Sequence, residues 1–436
     1  MTTYNCEASK LYYLAPVNRD DLGMESLTGY IARLAQKHLM EVGQLINYEL
    51  VPILQKEYLT RIALYGGTRF YNHASMINSI GQAASDFVAA LQKATLISDL
   101  TTCTFFPWRQ VIPSRGLIQS TKKWCPLCFQ DALEAEQELY EPLLWSLQAV
   151  MACSIHGTML TTKCPHCGQE LRLLDRHSKP GYCSKCQQWL GQKEYKVLAS
   201  DYELAIAGQA AKVLAAYNEA SLAAPENIVD FFLSCSKAFG GGMAEFARFI
   251  GFSKTTVWDW CKGKNLPPFP SLLAICEALK VQVVDVLLGN SKNLFIALSK
   301  PTVHIARLQK AMGQKLNVIK LRTDLENCMK SEDTPPLSMK EIARKQQTSR
   351  KVVERYFPAL CKRISGKYLA NRMEQAQNLA KQRKIEIRNI CQELAQQGIF
   401  PSRRNVEAAA SWKAALRNPE IQKEWKAIVY GSNPST

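Results

Sequence analysis

No apolar run in this chain reaches the ~20 residues that a membrane-spanning helix needs. Met1 to Lys10 is polar with no apolar core behind it, so no secretory leader is expected. A cytoplasmic, nucleoid-associated protein without membrane contact is the expectation. There is no GxxxxGK[ST] phosphate loop and no acidic cluster of the kind that holds two catalytic metals, so an enzyme is not expected. Collagen-like, disordered and low-complexity composition are absent too. The hydrophobic share of 47% suits core-forming protein, and 436 residues leave room for roughly three domains.

Negative charge is also short. Lys and Arg number 54 against 38 Asp and Glu, a net charge of +16. From Pro301 onward the count is 26 basic against 12 acidic residues, so the last 136 residues carry +14 of the +16. A basic block of this kind is what a polyanion binder needs, because each cation near a phosphate releases condensed counterions. A merely solvated surface would scatter its charge.

The chain reads as mainly α. Helical spacing runs through 21–104, with Leu27, Tyr30, Ile31 and Leu34 on one face of Glu25–Ala35. Pro107, Pro113 and Gly116 mark a loop, a cysteine-rich stretch follows from 124 to about 192, and 201–217 returns to a helical pattern. Gly240–Gly242 reads as a hinge and Ser331–Ser338 as a linker, with helical blocks expected at 338–370 and 373–412. The expected domains are 1–118, helical; 119–192, two zinc modules; 193–292, a helical connector and a helix-turn-helix domain; 293–336, a linker helix; 337–372, a second helix-turn-helix; and 373–436, a third with a tail.

Fifteen cysteines in a reducing compartment are metal ligands first and disulfides last. Two four-ligand sets stand out: Cys125 and Cys128 with Cys153 and His156, then Cys164 and Cys167 with Cys183 and Cys186. Ligands two residues apart let one tight turn aim both at one ion, and two such turns complete a tetrahedron. Thiolate and imidazole favour zinc, and four protein ligands leave no place for a catalytic water, so two structural Zn2+ ions are expected. A redox pair would need one CxxC, and an iron–sulfur site rarely uses a Cys-x-x-His half. Trp145 and Leu147 fall between the halves of the first set as its small core, and His166 is a rival ligand in the second. The remaining cysteines (6, 103, 235, 261, 276, 328, 361 and 391) read as buried small hydrophobes.

Three helix-turn-helix patterns follow. In Met243–Gly263, Gly251 suits a left-handed turn, Ser253 an N-cap, and Ala247 and Val257 the helix crossing; helices near 270–279 and 283–288 complete a five-helix domain. Lys254, Thr255, Thr256, Asp259 and Lys262 are its candidate DNA contacts. In Ser338–Pro358, Ser338 and Glu341 form a capping box, Ile342 and Ala343 pack inward, and Pro358 stops the second helix. Ser349 caps that helix, which presents Arg350, Lys351, Glu354 and Arg355. In the third, Ile385–Gln397 leads through Gly398 to a helix that opens on Ser402, Arg403, Arg404 and Asn405. Arg can read guanine and Asn adenine by paired hydrogen bonds. A plain pair of packed helices would look similar.

With these residues in hand, the sequence resembles the TniQ/TnsD family of transposon target-selection proteins. Glu25-Ser-Leu27 with Arg33-Leu-Ala35 is similar to the family's opening helix. The order Cys125-Pro-x-Cys128, Trp145, Cys153-x-x-His156-Gly157, Leu160, Cys164-Pro-x-Cys167-Gly168, Cys183-x-x-Cys186 follows its zinc region, and the resemblance as a whole covers about residues 14–192. The resemblance implies an N-terminal TniQ-type domain and tandem helix-turn-helix domains behind it. It further implies selection of an attachment site in double-stranded DNA and recruitment of an AAA+ ATPase regulator (TnsC-like). The alternative role is an adaptor that docks a CRISPR effector complex. The basic C-terminal block favours direct DNA reading, since short adaptor-type members need less DNA-binding equipment. An ordinary transcription repressor is physically reasonable, but a tandem zinc region points to something more specialised.

Overall fold

The computed structural model describes residues 9–19, 23–57, 68–239, 242–290, 318–331, 336–345, 348, 350–412 and 415–431. The chain divides into two compact units, Met1–Ala311 and Met312–Thr436. Both are helical. The strands of the described residues are two short antiparallel pairs in the first unit: β1 (Asn18–Arg19) with β2 (Gly23–Met24), and β3 (Ala152–Cys153) with β4 (Thr158–Met159).

The first unit opens with α1 (Leu27–Lys37), capped by Ser26, whose hydroxyl accepts the Gly29 N–H at 3.1 Å. Sequence spacing predicts one buried face. In the structure every residue from Leu27 to Ala35 is buried. The polar groups are satisfied internally instead of facing water. Arg33 forms a two-pronged pair with Glu25, Nε to Oε1 at 2.9 Å and Nη2 to Oε2 at 2.7 Å. Asn78 accepts the Thr28 N–H at 3.0 Å and donates to its hydroxyl at 2.9 Å. Around α1 lie the irregular helical stretch 42–54 and α2 (Gln82–Thr95), joined through Leu45, Leu50, Phe87 and Leu91 in one apolar core.

A second core begins at Phe105 and runs without a break to Leu287. It takes in the cysteine-rich region, including Trp124, Trp145 and Leu147, and α3 (Pro126–Glu134). It continues through α4 (Asp201–Ala215), α5 (Pro225–Ala238), α6 (Gly242–Phe249), α7 (Lys254–Cys261), α8 (Phe269–Ala278) and α9 (Val283–Leu288). The residues expected as a zinc region and a separate helix-turn-helix domain therefore share one interior. Gln209 ties the connector helix α4 to the helix-turn-helix: its amide donates to the Val281 carbonyl at 3.1 Å and accepts the Val283 N–H at 2.8 Å. Phe105 lies against Phe269 with ring centroids 5.3 Å apart.

The second unit contains α10 (Val318–Lys330), α11 (Met339–Lys345), α12 (Arg350–Tyr356), α13 (Pro358–Gln396), α14 (Arg403–Ala409) and α15 (Pro419–Tyr430). Most of the expected linker helix, 291–317, lies outside the described residues. Its last part, α10, packs Leu321 and Leu325 into the core of the second helix-turn-helix. The main departure is α13, a continuous helix of 39 residues that runs straight through the expected break at 370–373. Residues 370–384 are rich in Ala, Leu, Gln, Lys and Arg, which all favour helix, and contain neither proline nor glycine. Pro358 does end α12. Its missing N–H also makes it a good first residue for the next helix, which is where it stands.

Candidate metal centres and nucleic-acid interface

The eight expected ligands converge in two groups, Cys125, Cys128, Cys153 and His156, and Cys164, Cys167, Cys183 and Cys186. Within each group the ligand atoms all lie within 4.8 Å of one another. Contacts in the first include Cys128 Sγ to Cys153 Sγ at 3.5 Å and His156 Nδ1 to Cys128, Cys125 and Cys153 at 3.3, 3.6 and 3.7 Å. In the second, Cys164 and Cys186 are 3.7 Å apart and Cys167 and Cys183 3.8 Å. A zinc tetrahedron with Zn–S near 2.3 Å has edges of about 3.8 Å between sulfurs and about 3.6 Å from sulfur to nitrogen. The spacings match those edges and are far too long for disulfides, and all eight residues can serve as metal ligands. His166 stays out of the set, with Nε2 3.1 Å from the Trp189 carbonyl oxygen.

Three of the four ligand turns share one backbone design. Gly157, Gly168 and Gln187, each just after the second ligand of its pair, adopt φ of +61°, +67° and +60°. Each returns its N–H to the carbonyl of the first ligand, to Cys153 at 3.0 Å, Cys164 at 2.9 Å and Cys183 at 2.9 Å. The left-handed residue turns the chain back so that both side chains point to one side. The fourth pair is built differently: Cys125 precedes α3 and Cys128 sits in its first turn.

His156 has a partner that spacing alone did not flag. Its Nε2–H donates to Asp131 Oδ2 at 2.8 Å, which fixes the ring and turns Nδ1 toward the thiols. Asp131 lies three residues after Cys128 on α3, one turn along the same face. Side-chain hydrogen bonds from Cys128 and Cys153 hold the Cys125 thiol well below the usual range, while those same contacts with Cys125 push Cys128 above it. Next to this set, Lys123 is fully buried and donates to the Leu147 carbonyl at 2.7 Å and to that of Val150. Burial pushes its ammonium down to about 7.

On the helix-turn-helix of the first unit, Gly251 has φ +72°, and the Ser253 hydroxyl accepts the Thr256 N–H at 3.1 Å. Ala247 and Val257 are buried at the crossing. Lys254, Thr255 and Lys262 are exposed; Thr256 and Asp259 are half-buried, and the Thr256 hydroxyl bonds to Ser253 at 2.8 Å. Sequence reading passed over Trp258, 40% exposed between them, with Lys264 Nζ 4.3 Å from its ring centroid. It is four residues from both Lys254 and Lys262, so it shares their face.

In the second unit the Ser338–Glu341 capping box forms, and Ile342, Ala343 and Val353 are buried. Ser349 lies outside the described residues. Arg350, Lys351 and Arg355 are exposed, with Arg350 paired to Glu354 at 2.6 Å. In the third pattern Ser402 caps α14 by accepting the Asn405 N–H at 3.3 Å, and the Asn405 amide donates to the Phe400 carbonyl at 2.9 Å. Both polar groups thus serve the turn. Arg404 is exposed, and Arg403 is paired to Glu407 at 3.2 Å. Of the isolated cysteines, six are buried and Cys328 is half-buried; Cys6 lies outside the described residues.

Two groups that could hold metal ions, set in a helical scaffold with a capped helix-turn-helix, point to a DNA-binding protein. Comparison with protein families narrows the class. Residues 22–160 match the TniQ family and residues 243–288 the Cro/C1-type HTH DNA-binding domain. The chain thus carries a TniQ domain, which supports a TniQ/TnsD-family protein, followed by a DNA-binding domain. Together they support a DNA-binding, transposition-associated protein. No curated protein matches the chain. The TniQ match covers the first ligand group and stops before the second. Among the described residues no helix is long and apolar enough to cross a membrane.

Proposed function

We propose that this protein selects the target site of a transposition system by reading double-stranded DNA, and that it recruits an AAA+ regulator to that site. The supporting observation is the shared interior from Phe105 to Leu287, which ties much of the TniQ-matched segment to the Cro/C1-type unit. A helix-turn-helix packed in this way transmits its position on the duplex to the TniQ segment. Two structural zinc ions, held by three thiolates with one imidazole and by four thiolates, fix the ligand turns. Lys254, Thr255 and Lys262, with Arg355 and Arg404 of the second unit, are the proposed duplex contacts. Phosphate contacts position the chain, and the few base contacts specify the sequence.

The test is selection from a random duplex pool by the purified, zinc-loaded full chain without guide RNA. Enrichment of one extended sequence is the expected result. Equal retention of all duplexes would overturn direct selection and favour the adaptor role on a CRISPR effector.

A further inference from the structure

The two helix-turn-helix patterns of the second unit are built on opposite ends of one helix. The N-terminal module buries Cys361 and Ile364 of α13 with Val353 of α12. The C-terminal module buries Ile387, Ile390 and Cys391 of the same helix with Val406 of α14. Between them α13 has no core around it: of residues 369–379, all but Asn371 are exposed. A solvent-bridging helix, here exposing Leu369, Met373 and Leu379 among its polar residues, can connect packed bodies at a set distance.

We propose that α13 is a rigid ruler holding two duplex-reading modules one turn of B-form DNA apart, so that the second unit recognises a two-part site of fixed spacing. From Ile364 to Ile387 is 23 residues of unbroken helix, about 35 Å at 1.5 Å per residue. Helix-turn-helix pairs that read successive major grooves on one face of a duplex are spaced by about 34–36 Å. At 3.6 residues per turn the two packing faces are about 140° apart around α13. A duplex laid along α13 midway between those faces would have one module on each flank. The exposed stretch between the modules is weakly cationic, with Arg372 and Lys381 against Glu374.

Each module is clamped to the ruler. Lys367 Nζ donates to the Met329 carbonyl at 3.3 Å and to that of Ser331, pinning the end of α10. At the other end Lys384 pairs with Glu420 at 3.2 Å and Arg388 with Glu424 at 2.6 Å, while Arg383 stacks over Trp412 at 5.1 Å. These contacts fix rotation as well as distance, which a loose tether would leave open.

The inference rests on the proposed duplex reading, and the experiment separates the two. The full chain first selects its duplex, and hydroxyl-radical footprinting maps the contacts of the second unit. Two protected segments with centres about 10–11 base pairs apart are expected. A duplex with five base pairs inserted between them should bind about a hundredfold more weakly, as the advantage of a pre-positioned second module is lost. Replacing Gln375, Ala376 and Gln377 together by glycine, away from both cores, should restore tolerance to the insertion, with near-native helicity confirming that the modules remain folded. A native chain that selects a duplex yet tolerates the insertion, or shows a single protected segment from the second unit, would overturn the ruler while leaving target selection standing. A chain that selects no duplex would overturn both.

Discussion

The two units are held together in different ways. The first has a core running from Phe105 to Leu287 and two groups of metal-ligand side chains, which join residues far apart in sequence, and a buried Glu25–Arg33 pair. The second has two small cores, each of eight buried residues, strung on a single helix, with surface ion pairs such as Arg350–Glu354 and Arg403–Glu407 four residues apart. Charge follows the same division, since nearly all of the net +16 falls after Pro301. One unit is a scaffold fixed by packing, with two ligand groups able to hold metal ions. The other is a chain of locally stable helices presenting cations. Metal removal and added salt should therefore act on different halves of the molecule.

The largest effect expected is from metal loss. Binding at structural zinc sites is worth on the order of 10 kcal/mol. Cys128→Ser or Cys167→Ser, or a strong chelator, should unfold the first unit while the helicity of the second survives. Far-ultraviolet circular dichroism together with protease mapping reads this out, and elemental analysis of the native protein should give two zinc ions per chain. Simultaneous loss of both units would mean that the second depends on the first.

Next in size is the buried ion pair. Glu25→Gln leaves Arg33 charged and without its carboxylate in the interior, which should cost about 3–5 kcal/mol in a denaturant melt. Burial raises the carboxyl's proton affinity even with Arg33 beside it, so the pair is maintained against a desolvation penalty. The double change Glu25→Gln, Arg33→Met should recover much of that loss. A double variant as unstable as the single one would show that the pair does more than satisfy its own charges.

A smaller change isolates the ligand turns. A Cβ at Gly168 would touch nothing within 4 Å, so Gly168→Ala tests only its φ of +67°. The left-handed conformation should cost about 1–2 kcal/mol, read as a lower midpoint for the first unit and weaker metal retention. No change would mean that this turn is not a rigid part of the site. The smallest effect lies in the second unit. Arg404→Ala should weaken binding to all duplexes by a similar factor and lower the slope of log K against log salt by about one. A sequence-dependent loss would instead make Arg404 a base reader.

The same division decides what was legible in the sequence. Ligand pairs two residues apart, the caps at Ser253 and Ser338, and the left-handed Gly251 are local features, and each stands where the spacing placed it. Asp131 was hidden because its role depends on His156, 25 residues away. The full burial of α1 was hidden because an arginine in a helical pattern reads as the solvent side unless its carboxylate partner is known. The continuity of α13 was missed for a different reason. Two helix-turn-helix patterns suggest two domains with a break between them, whereas the residues at 370–384 favour helix throughout. Nor does sequence spacing reveal that the cysteine-rich region and the Cro/C1-type unit share one interior, because that depends on packing between side chains far apart in sequence.

The most direct test of duplex reading compares the affinity of the zinc-loaded full chain for its selected duplex and for a scrambled duplex of equal length, over a series of salt concentrations. Both affinities should fall steeply and in parallel as salt rises, because the phosphate contacts are shared, while the selected duplex stays tighter by about 10³-fold or more throughout. Equal affinities at every salt concentration would contradict sequence recognition and leave only a basic surface that holds nucleic acid without reading it.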